Sequence, residues 1–323
     1  MPLLEENHIL GFDEIEVSQK DAKCQLAEKW LEKTATDSEL QVNEDDTQIH
    51  IKGREFAYTI DRRTALFTEM KFAGREYLNH PMELNIWRAP TDNDMYIKAE
   101  WKKAHYDKAY TRAYTTEVVQ GKHGVKIVSH ASVVAETVQK ILDVTITWKI
   151  DASGKIDADI EATKDGEFPD LPRFGVRMFL DKKLSDARYF GMGPQESYRD
   201  KHQAASHGLY RANVRDLHED YIRPQENGSH YDCGYVELNN SRYGMAAFSE
   251  STFSFNASYY TQEELEKKTH NYELAESDSV VLCVDYALNG IGSNSCGPVV
   301  LDQYRFNDVL FRFQFTLVPY VKG

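Results

Sequence analysis

Two glutamates in turn-rich segments are the first candidates for chemistry. Glu196 lies in GMGPQESYRDK, residues 191–201, and Glu226 lies in RPQENGSHYDCGYVEL, residues 223–238. A pair of carboxyl groups is what glycoside hydrolysis requires. The alternative is that turns place both glutamates at strand ends, where a carboxylate pairs with arginine or caps backbone amides. Because acidic residues in turns are far more common than catalytic pairs, we favour the structural interpretation.

Histidines and a cysteine between residues 200 and 233 suggest a metal site. They are His202, His207, His218, His230 and Cys233. Their spacing matches no standard zinc pattern, since zinc recognition from sequence requires compact ligand pairs. We therefore interpret them as surface or hydrogen-bonded side chains and predict no metal site.

A glycine-rich segment, GIGSNSCG at residues 290–297, superficially resembles a nucleotide-binding loop. Pro298 and a strand pattern follow it, so no helix N-terminus is available to hold a pyrophosphate. P-loop, GxSxG and HExxH motifs do not occur in the sequence. We interpret the segment as a β loop.

The segment NIWRAPTDND, residues 85–94, brings one guanidinium close to several polar side chains around a proline turn. Arg88, Asp92, Asn93 and Asp94 could form a rigid cluster that faces a ligand. The alternative is a buried arginine–carboxylate network that holds two domains or chains together. From the residues alone we slightly favour the network.

Composition excludes several classes of protein. The 323 residues are 41% hydrophobic and 12% aromatic, enough for a large core. The net charge is −14, and no basic run occurs, which argues against nucleic-acid binding. Neither a secretion signal nor a membrane span is predicted, so we expect a cytoplasmic protein with reduced cysteines.

Strand patterns dominate the chain, because β-branched and aromatic residues alternate with polar ones in short segments. Strands are predicted at 48–52, 56–60, 115–119, 125–129, 140–150, 155–162, 174–180, 231–238, 245–248, 253–259, 280–288 and 309–318. Helical patterns are sparse, at 21–32, 97–110 and 263–270. The predicted class is all-β, with too many strands for a small sandwich and no βαβ alternation.

A composition shift near residue 45 separates acidic, helix-prone sequence from regular strands. Residues 8–18, HILGFDEIEVS, nevertheless alternate like a strand, with apolar positions at Ile9, Phe12, Ile15 and Val17. We therefore expect a separate strand within residues 1–20, a linker at 21–46 and the main β-sandwich at 47–323.

Four motifs together resemble the C-terminal domain of family 2 β-galactosidases, which some bacteria encode separately as a small subunit. They are NIWRAPTDND at Asn85, YFGMGPQESYRDK at Tyr189, YIRPQENGSHYDCGYVEL at Tyr221 and NGIGSNSCGP at Asn289. The motifs occur in the family's order, so the resemblance extends from about Gln48 to the end of the chain.

The resemblance implies a large antiparallel β-supersandwich of the galactose mutarotase type. In this family the two catalytic glutamates lie on a TIM barrel, and nothing like that barrel occurs in this sequence. The chain is therefore expected to complete the active site of a barrel-bearing large subunit and to be inactive alone. No cofactor is expected in this chain, and Mg²⁺ or Na⁺ is expected on the large subunit.

The resemblance also implies functional residues. The mouth of the galactoside pocket is expected to include Arg88, Asp92, Asn93, Ser293, Asn294 and Cys296. Cys296 stands where the best-known single-chain enzyme has tryptophan, so the aromatic platform for the leaving-group sugar is absent. Alternatively, Cys296 is a small residue that fits a crowded turn.

Two further roles concern a lid and the partner. The loop GREYLNHPM, residues 74–82, is a candidate lid, with Gly74 and Asn79 making it deformable, or else a plain strand connection. The amino-terminal segment resembles the closing strand of the immunoglobulin-like domain of the large subunit. The expected partner interface comprises Ile9, Phe12, Ile15, Val17 and Glu196.

Two rival functions remain open. One is a free-standing carbohydrate-binding β-sandwich. The other is an aldose mutarotase, which requires a histidine acid and a glutamate base in one cleft.

Overall fold

The computed structural model describes residues 11–15, 26–27 and 40–322. Seventeen strands occur in this part of the chain. They are β1 Gln41–Glu44, β2 Gln48–Lys52, β3 Phe56–Asp61, β4 Leu66–Phe72, β5 Arg75–Glu76, β6 Leu78–Asn85, β7 Tyr110–Gly121, β8 Gly124–Ala135, β9 Val138–Asp151, β10 Ile156–Lys164, β11 Arg173–Asp181, β12 Asp186–Gly193, β13 Ser206–Asn213, β14 Ser229–Asn239, β15 Tyr243–Ser258, β16 Ser279–Leu288 and β17 Leu310–Val321. Two α-helices lie wholly within the described residues, α1 Ile97–Lys103 and α2 Gln262–Lys267.

The strands form two antiparallel sheets. The smaller one has the order β1-β2-β3-β4-β5. The larger has twelve strands, with a main path β13-β12-β14-β15-β17-β10-β9-β8-β7, while β16 pairs with β15 and β11, and β11 pairs with β6. The predicted all-β class and large antiparallel supersandwich with few short helices are confirmed.

Alternating side chains create the core. Along β10, Ile156, Ala158, Ile160 and Ala162 are buried. Such burial stabilises the fold by about 1.5–3 kcal/mol for each large apolar side chain.

Trp148 joins the two sheets. Its ring lies edge-on to Phe67 of the smaller sheet at 4.9 Å between centroids and to Phe315 of the larger sheet at 6.4 Å. Its indole nitrogen donates to the carbonyl of Ala65 at 2.8 Å, so this buried polar atom has a partner.

The predicted linker at 21–46 requires correction at both of its described parts. Strand β1 pairs with β2, so the sheet begins before residue 47. Ala27 is buried in a cluster that contains Tyr235 and Phe248, and Leu26 packs against it. Apolar residues in this stretch therefore cover part of the large sheet.

Other predicted elements differ in extent. The helix predicted at 97–110 ends at Lys103, because His105 adopts a left-handed conformation with φ of 57°. The two strands predicted at 245–248 and 253–259 are one long strand, β15. Within the described residues, no helix is long and apolar enough to cross a lipid bilayer.

The predicted loop at 74–82 is mostly strand. Pro81 lies in β6, whose only described strand partner is β11, and an edge strand tolerates proline. Asn79 lies inside β6 and donates from Nδ2 to Ser279 Oγ at 3.1 Å. Only Gly74, with φ of 74°, occupies a tight turn.

Candidate functional site

The four motifs converge on one cleft of about 790 Å³, although they are far apart in the chain. Its lining comes from segments 91–93, 196–201, 221–226 and 291–304. Tyrosine and aliphatic side chains alternate there with carboxylates, amides and one lysine. This combination of apolar surface and a few polar groups is typical of small-molecule sites.

Arg88 supports the cleft from behind and does not line it. Its side chain is fully buried and forms a bidentate pair with Asp94, with Nη2–Oδ1 2.7 Å and Nε–Oδ2 3.1 Å. The guanidinium also donates to the carbonyls of Asn289 at 2.5 Å and Gly290 at 3.0 Å. The prediction of Arg88 at the pocket mouth is therefore wrong, and the buried network is the correct interpretation.

The glycine-rich loop is held by two further side chains. Asn93 donates to the carbonyl of Gly292 at 2.7 Å and accepts from the Ser295 hydroxyl at 2.7 Å. Asp200 accepts from the backbone amides of Ile291 at 2.9 Å and Gly292 at 2.7 Å. Gly292 has φ of 65°, a conformation that favours glycine. The loop therefore has a defined shape.

Asp92 and Gln225 connect two walls of the cleft. The amide of Asp92 donates to Gln225 Oε1 at 3.0 Å, and Gln225 Nε2 donates to the Asp92 carboxylate at 3.2 Å. One residue further on, the amide of Glu226 donates to the carbonyl of Ala89 at 3.0 Å. These bonds fix the 223–228 loop against the 88–92 loop.

Glu196 is bonded within this chain. Its carboxylate accepts from Lys201 at 2.5 Å, from the Tyr221 hydroxyl and from the amide of Gly228 at 2.9 Å. Burial alone raises the pKa of Glu196, but the hydrogen bonds from Lys201, Tyr221 and Gly228 outweigh it and lower the pKa. The side chain of Glu196 is only 7% exposed and lies in the cleft wall, and its predicted part in the partner interface stays a prediction.

Glu226 belongs to a buried triad. Arg173 donates to both oxygens of Glu226, at 3.3 and 3.2 Å, and to both oxygens of Asp285, at 3.1 and 2.5 Å. All three side chains are buried. Burial raises the pKa of Glu226 and of Asp285, although the charge of Arg173 opposes this.

Both glutamates have the contacts that the structural interpretation predicts, and the absence of a catalytic role stays a prediction. One caps a backbone amide and pairs with lysine, and the other pairs with arginine. Opposite pKa shifts in one cleft also characterise acid/base pairs. Here, however, every oxygen of the two carboxylates already accepts a hydrogen bond.

The remaining predicted mouth residues fall into two groups. Asp92, Asn93 and Ser293 line the cleft. Asn294 and Cys296 lie on the same loop outside its lining, and the Cys296 thiol is exposed. Gly74 and Asn79 are also outside the lining, and Asn79 is at the end of β6 that is remote from Asn85 and the cleft. At about 3.3 Å per residue this strand is over 20 Å long, so the segment is not a lid of this cleft.

Histidine does not line the cleft in the described part of the chain. His230 is buried against Tyr189 and Phe255, and burial lowers its pKa to about 4. His207 lies between Glu14 at 3.2 Å and Asp232 at 2.8 Å. The described residues contain no group of three or more potential ligands that could hold a metal ion.

The amino-terminal segment is described only at residues 11–15, which have no regular secondary structure. Phe12 and Ile15 are exposed there. The Glu14 carboxylate accepts from the backbone amide of His207 at 3.1 Å, at the start of edge strand β13. Ile9 and Val17 lie outside the described residues.

Several residues of the cleft were not predicted. They are Thr91, Tyr198, Asp200, Lys201, Tyr221, Gln225 and Tyr304. Six of them stand inside the four motifs, so weighing every polar residue of each motif would have found them. Tyr304 has no such signal, because only the path of the chain after the glycine-rich loop brings it there.

The solved structures that match this chain do so at low similarity. The galactose 1-epimerase of Lactobacillus acidophilus NCFM has a TM-score of 0.46 and 8% identity, and the match covers 90% of this chain and 100% of that one. A similarity of this size carries no argument about the chemistry of this chain.

Sequence relatives are much closer. The β-galactosidase of Actinobacillus pleuropneumoniae is 42% identical over 316 residues, which are 98% of this chain and 30% of that protein. The β-galactosidase of Staphylococcus xylosus is 33% identical over 313 residues, 97% of this chain and 31% of that protein. This chain thus spans less than a third of the length of these curated relatives. The family model described as Beta galactosidase small chain matches residues 52–317, and the chain belongs to that family.

Proposed function

We propose that this chain is the small subunit of a two-chain β-galactosidase. It binds a large subunit that carries the catalytic glutamates, completes the mouth of the active site and enables retaining hydrolysis of terminal β-galactosides such as lactose. One observation carries the proposal: the family model described as Beta galactosidase small chain matches residues 52–317. Under this proposal, a large subunit supplies the part of the β-galactosidase relatives that this chain does not match.

The chemistry of the cleft supports a role in shaping the active site, with the catalytic carboxylates on the partner. Retaining hydrolysis requires two carboxyl groups near the anomeric carbon, one nucleophilic and one able to exchange a proton. Glu226 is bonded to Arg173, and Glu196 is bonded to Lys201. Neither is free to act as nucleophile or acid, so the chain alone is inactive under this proposal.

The glycine-rich loop is the part that approaches the substrate. Asn93 and Asp200 hold its backbone, while Ser293 lines the cleft and Cys296 is exposed on the same loop as Asn294. We assign these three residues, with Asp92, to the wall around the leaving-group sugar. Mg²⁺ or Na⁺, where required, binds the large subunit.

The amino terminus provides a second contact with the partner. Phe12 and Ile15 are exposed apolar side chains on a segment without strand structure. A sheet in the large subunit that lacks its last strand would offer unpaired amides and carbonyls, and this segment could pair with them by strand addition.

The two rival functions are less well supported. A mutarotase requires a histidine acid, and no described histidine lines the cleft. A free-standing sugar-binding sandwich would explain the cleft but not the similarity to β-galactosidases.

The test is reconstitution. Galactoside hydrolysis is measured with the purified chain, with the large subunit from the same organism, and with their mixture. Activity confined to the mixture supports the proposal. Full activity of the large subunit alone, or activity of this chain alone, would contradict it. In the same assay, a chelator should change the activity of the mixture but not the melting temperature of this chain.

A further inference from the structure

Large apolar side chains are exposed around the cleft. Val299 is 69% exposed and Leu301 is 62% exposed, and both line the cleft directly. Isolated exposed hydrophobics are ordinary on protein surfaces, whereas clusters beside a cleft mark interaction sites.

Other members of this cluster come from the neighbouring walls. Ile222 is 83% exposed and follows the cleft residue Tyr221. Met95 and Tyr96 are exposed just beyond Asn93. Tyr272 is exposed next to Asn271, whose amide donates to the carbonyl of Ile222 at 3.3 Å. We call these six residues the rim: Met95, Tyr96, Ile222, Tyr272, Val299 and Leu301.

The cleft inside the rim is acidic. Its lining has four carboxylates, on Asp92, Glu196, Asp200 and Glu226, and a single lysine, Lys201. Within the described residues, Asp92 and Asp200 form no ion pair: Asp92 meets Gln225, and Asp200 meets backbone amides. An apolar rim around unpaired carboxylates complements a surface whose arginine or lysine side chains are flanked by apolar ones.

We propose that the rim and the acidic cleft are the surface on which the large β-galactosidase subunit docks. This inference rests on the proposed function and adds the contact residues and the chemistry of the partner. The occupant is the large subunit of the proposed function, because the chain belongs to the small-chain family and because the carboxylates of the cleft complement a cationic partner surface. Exposed Met, Tyr and aliphatic side chains are also what the centres of protein interfaces contain.

Two valines offer a matched test. Val299→Asp changes the rim, and Val119→Asp makes the same substitution at an exposed valine on β7, which lies outside the cleft lining. Both positions are exposed, so both variants should fold, which their melting temperatures check. The Kd for the tagged large subunit is measured for the intact chain and for each variant. We expect Val299→Asp and Leu301→Asp to raise Kd at least about tenfold and Val119→Asp to leave it within about twofold.

The carboxylates of the cleft are tested separately, by the rate of association with the large subunit. Asp92→Asn should slow association with the large subunit and weaken the dependence of that rate on salt, since facing charges steer association. An association rate of the intact chain that does not change between low and high salt would overturn the cationic partner surface.

The outcomes distinguish a failure of the proposed function from a failure of the docking surface. If the intact chain does not bind the large subunit at all, the proposed function fails, and this inference fails with it. If the intact chain binds and the Val299 and Leu301 variants bind equally well, the docking surface is wrong and the proposed function stands. If Val119→Asp weakens binding as much as Val299→Asp does, the docking surface is also wrong, because the effect would then not depend on the position of the substitution.

Discussion

Asp200 accepts a hydrogen bond on Oδ2 from the backbone amide of Gly292 at 2.7 Å, across 92 positions of sequence. Its other carboxylate oxygen accepts from the amide of Ile291 at 2.9 Å. The Asp200 side chain thereby joins its own motif to the backbone of the glycine-rich motif. The glycine-rich loop consequently keeps one conformation at the mouth of the cleft.

Replacing Asp200 by Ala should release this loop. Two amides would lose a charged acceptor, and we expect the free energy of unfolding to fall by about 1–3 kcal/mol. Urea denaturation measures that loss, and hydrogen exchange should accelerate at Ile291 and Gly292. Asp92→Ala is the control, because Asp92 is exposed and its carboxylate, within the described residues, accepts a side-chain hydrogen bond from Gln225 alone. Unchanged exchange at both amides would contradict the role of Asp200.

Replacing Arg88 by Ala should damage the fold more severely. Asp94 would remain as a buried charge without its partner, and breaking such a pair typically costs about 3–5 kcal/mol. We expect a lower melting temperature in the isolated chain, with loss of activity in the assembled enzyme as a consequence. A variant with the original melting temperature but reduced substrate affinity would instead support the predicted contact with substrate.

The two cleft glutamates should respond oppositely to pH. The pKa of Glu226 is raised by burial, so wild-type stability is lost as pH rises from about 4.5 through that raised value. Glu226→Gln removes this loss and should gain stability relative to wild type toward neutral pH.

The pKa of Glu196 is lowered, so its contribution to stability is present above about pH 4.5 and lost as pH falls through the lowered value. Glu196→Gln should therefore be destabilised at neutral pH and match wild type in acid.

Urea denaturation at several pH values between 3 and 8 checks both signs, and each variant serves as the control for the other. The assembled enzyme gives an independent measurement. We expect Glu226→Gln to keep kcat within a few-fold, whereas a loss of about a thousandfold or more would make Glu226 catalytic.

Sequence patterns predicted the fold class well because most core strands alternate regularly. Strand β10 is an example, with every second residue buried. Strand β6 escaped prediction, since Pro81 is tolerated only because β6 is an edge strand, and edges are a property of the assembled sheet. Strand β1 escaped because Gln41 to Glu44 are mostly polar.

The site was predicted in part. The motifs indicated the segments that line the cleft, but they did not distinguish a side chain that faces the cleft from one behind it. Asp92 and Asn93 line the cleft, while Arg88 in the same motif is buried. The difference depends on which carbonyls lie nearby, here those of Asn289 and Gly290, and these are supplied by a segment about 200 residues away.

Cys296→Trp tests the wall around the leaving-group sugar. The exposed thiol leaves room for an indole, which could stack only on that sugar. We expect the KM for lactose to change several-fold, with kcat for the galactosyl step nearly unchanged. Val119→Trp is the control for an added surface indole. Identical kinetics on lactose and aryl galactosides before and after the Cys296 change would place the loop away from that sugar.

Deleting residues 1–18 tests the contact at the amino terminus. Within the described part, this segment meets the sandwich through the Glu14 carboxylate, which accepts from the amide and approaches the ring of His207. An exposed contact of this kind contributes at most about 1 kcal/mol, so the melting temperature of the isolated chain should change little. Phe12 and Ile15 are exposed and available to a partner, and their removal should weaken the complex with the large subunit by at least about tenfold.

Size exclusion and the Kd measure this loss, and a chain with Phe12→Ser and Ile15→Ser should reproduce it without the deletion. Glu14→Gln, which keeps both apolar side chains, is the matched control and should bind normally. Full-strength assembly of the truncated chain would show that residues 1–18 do not take part in the interface.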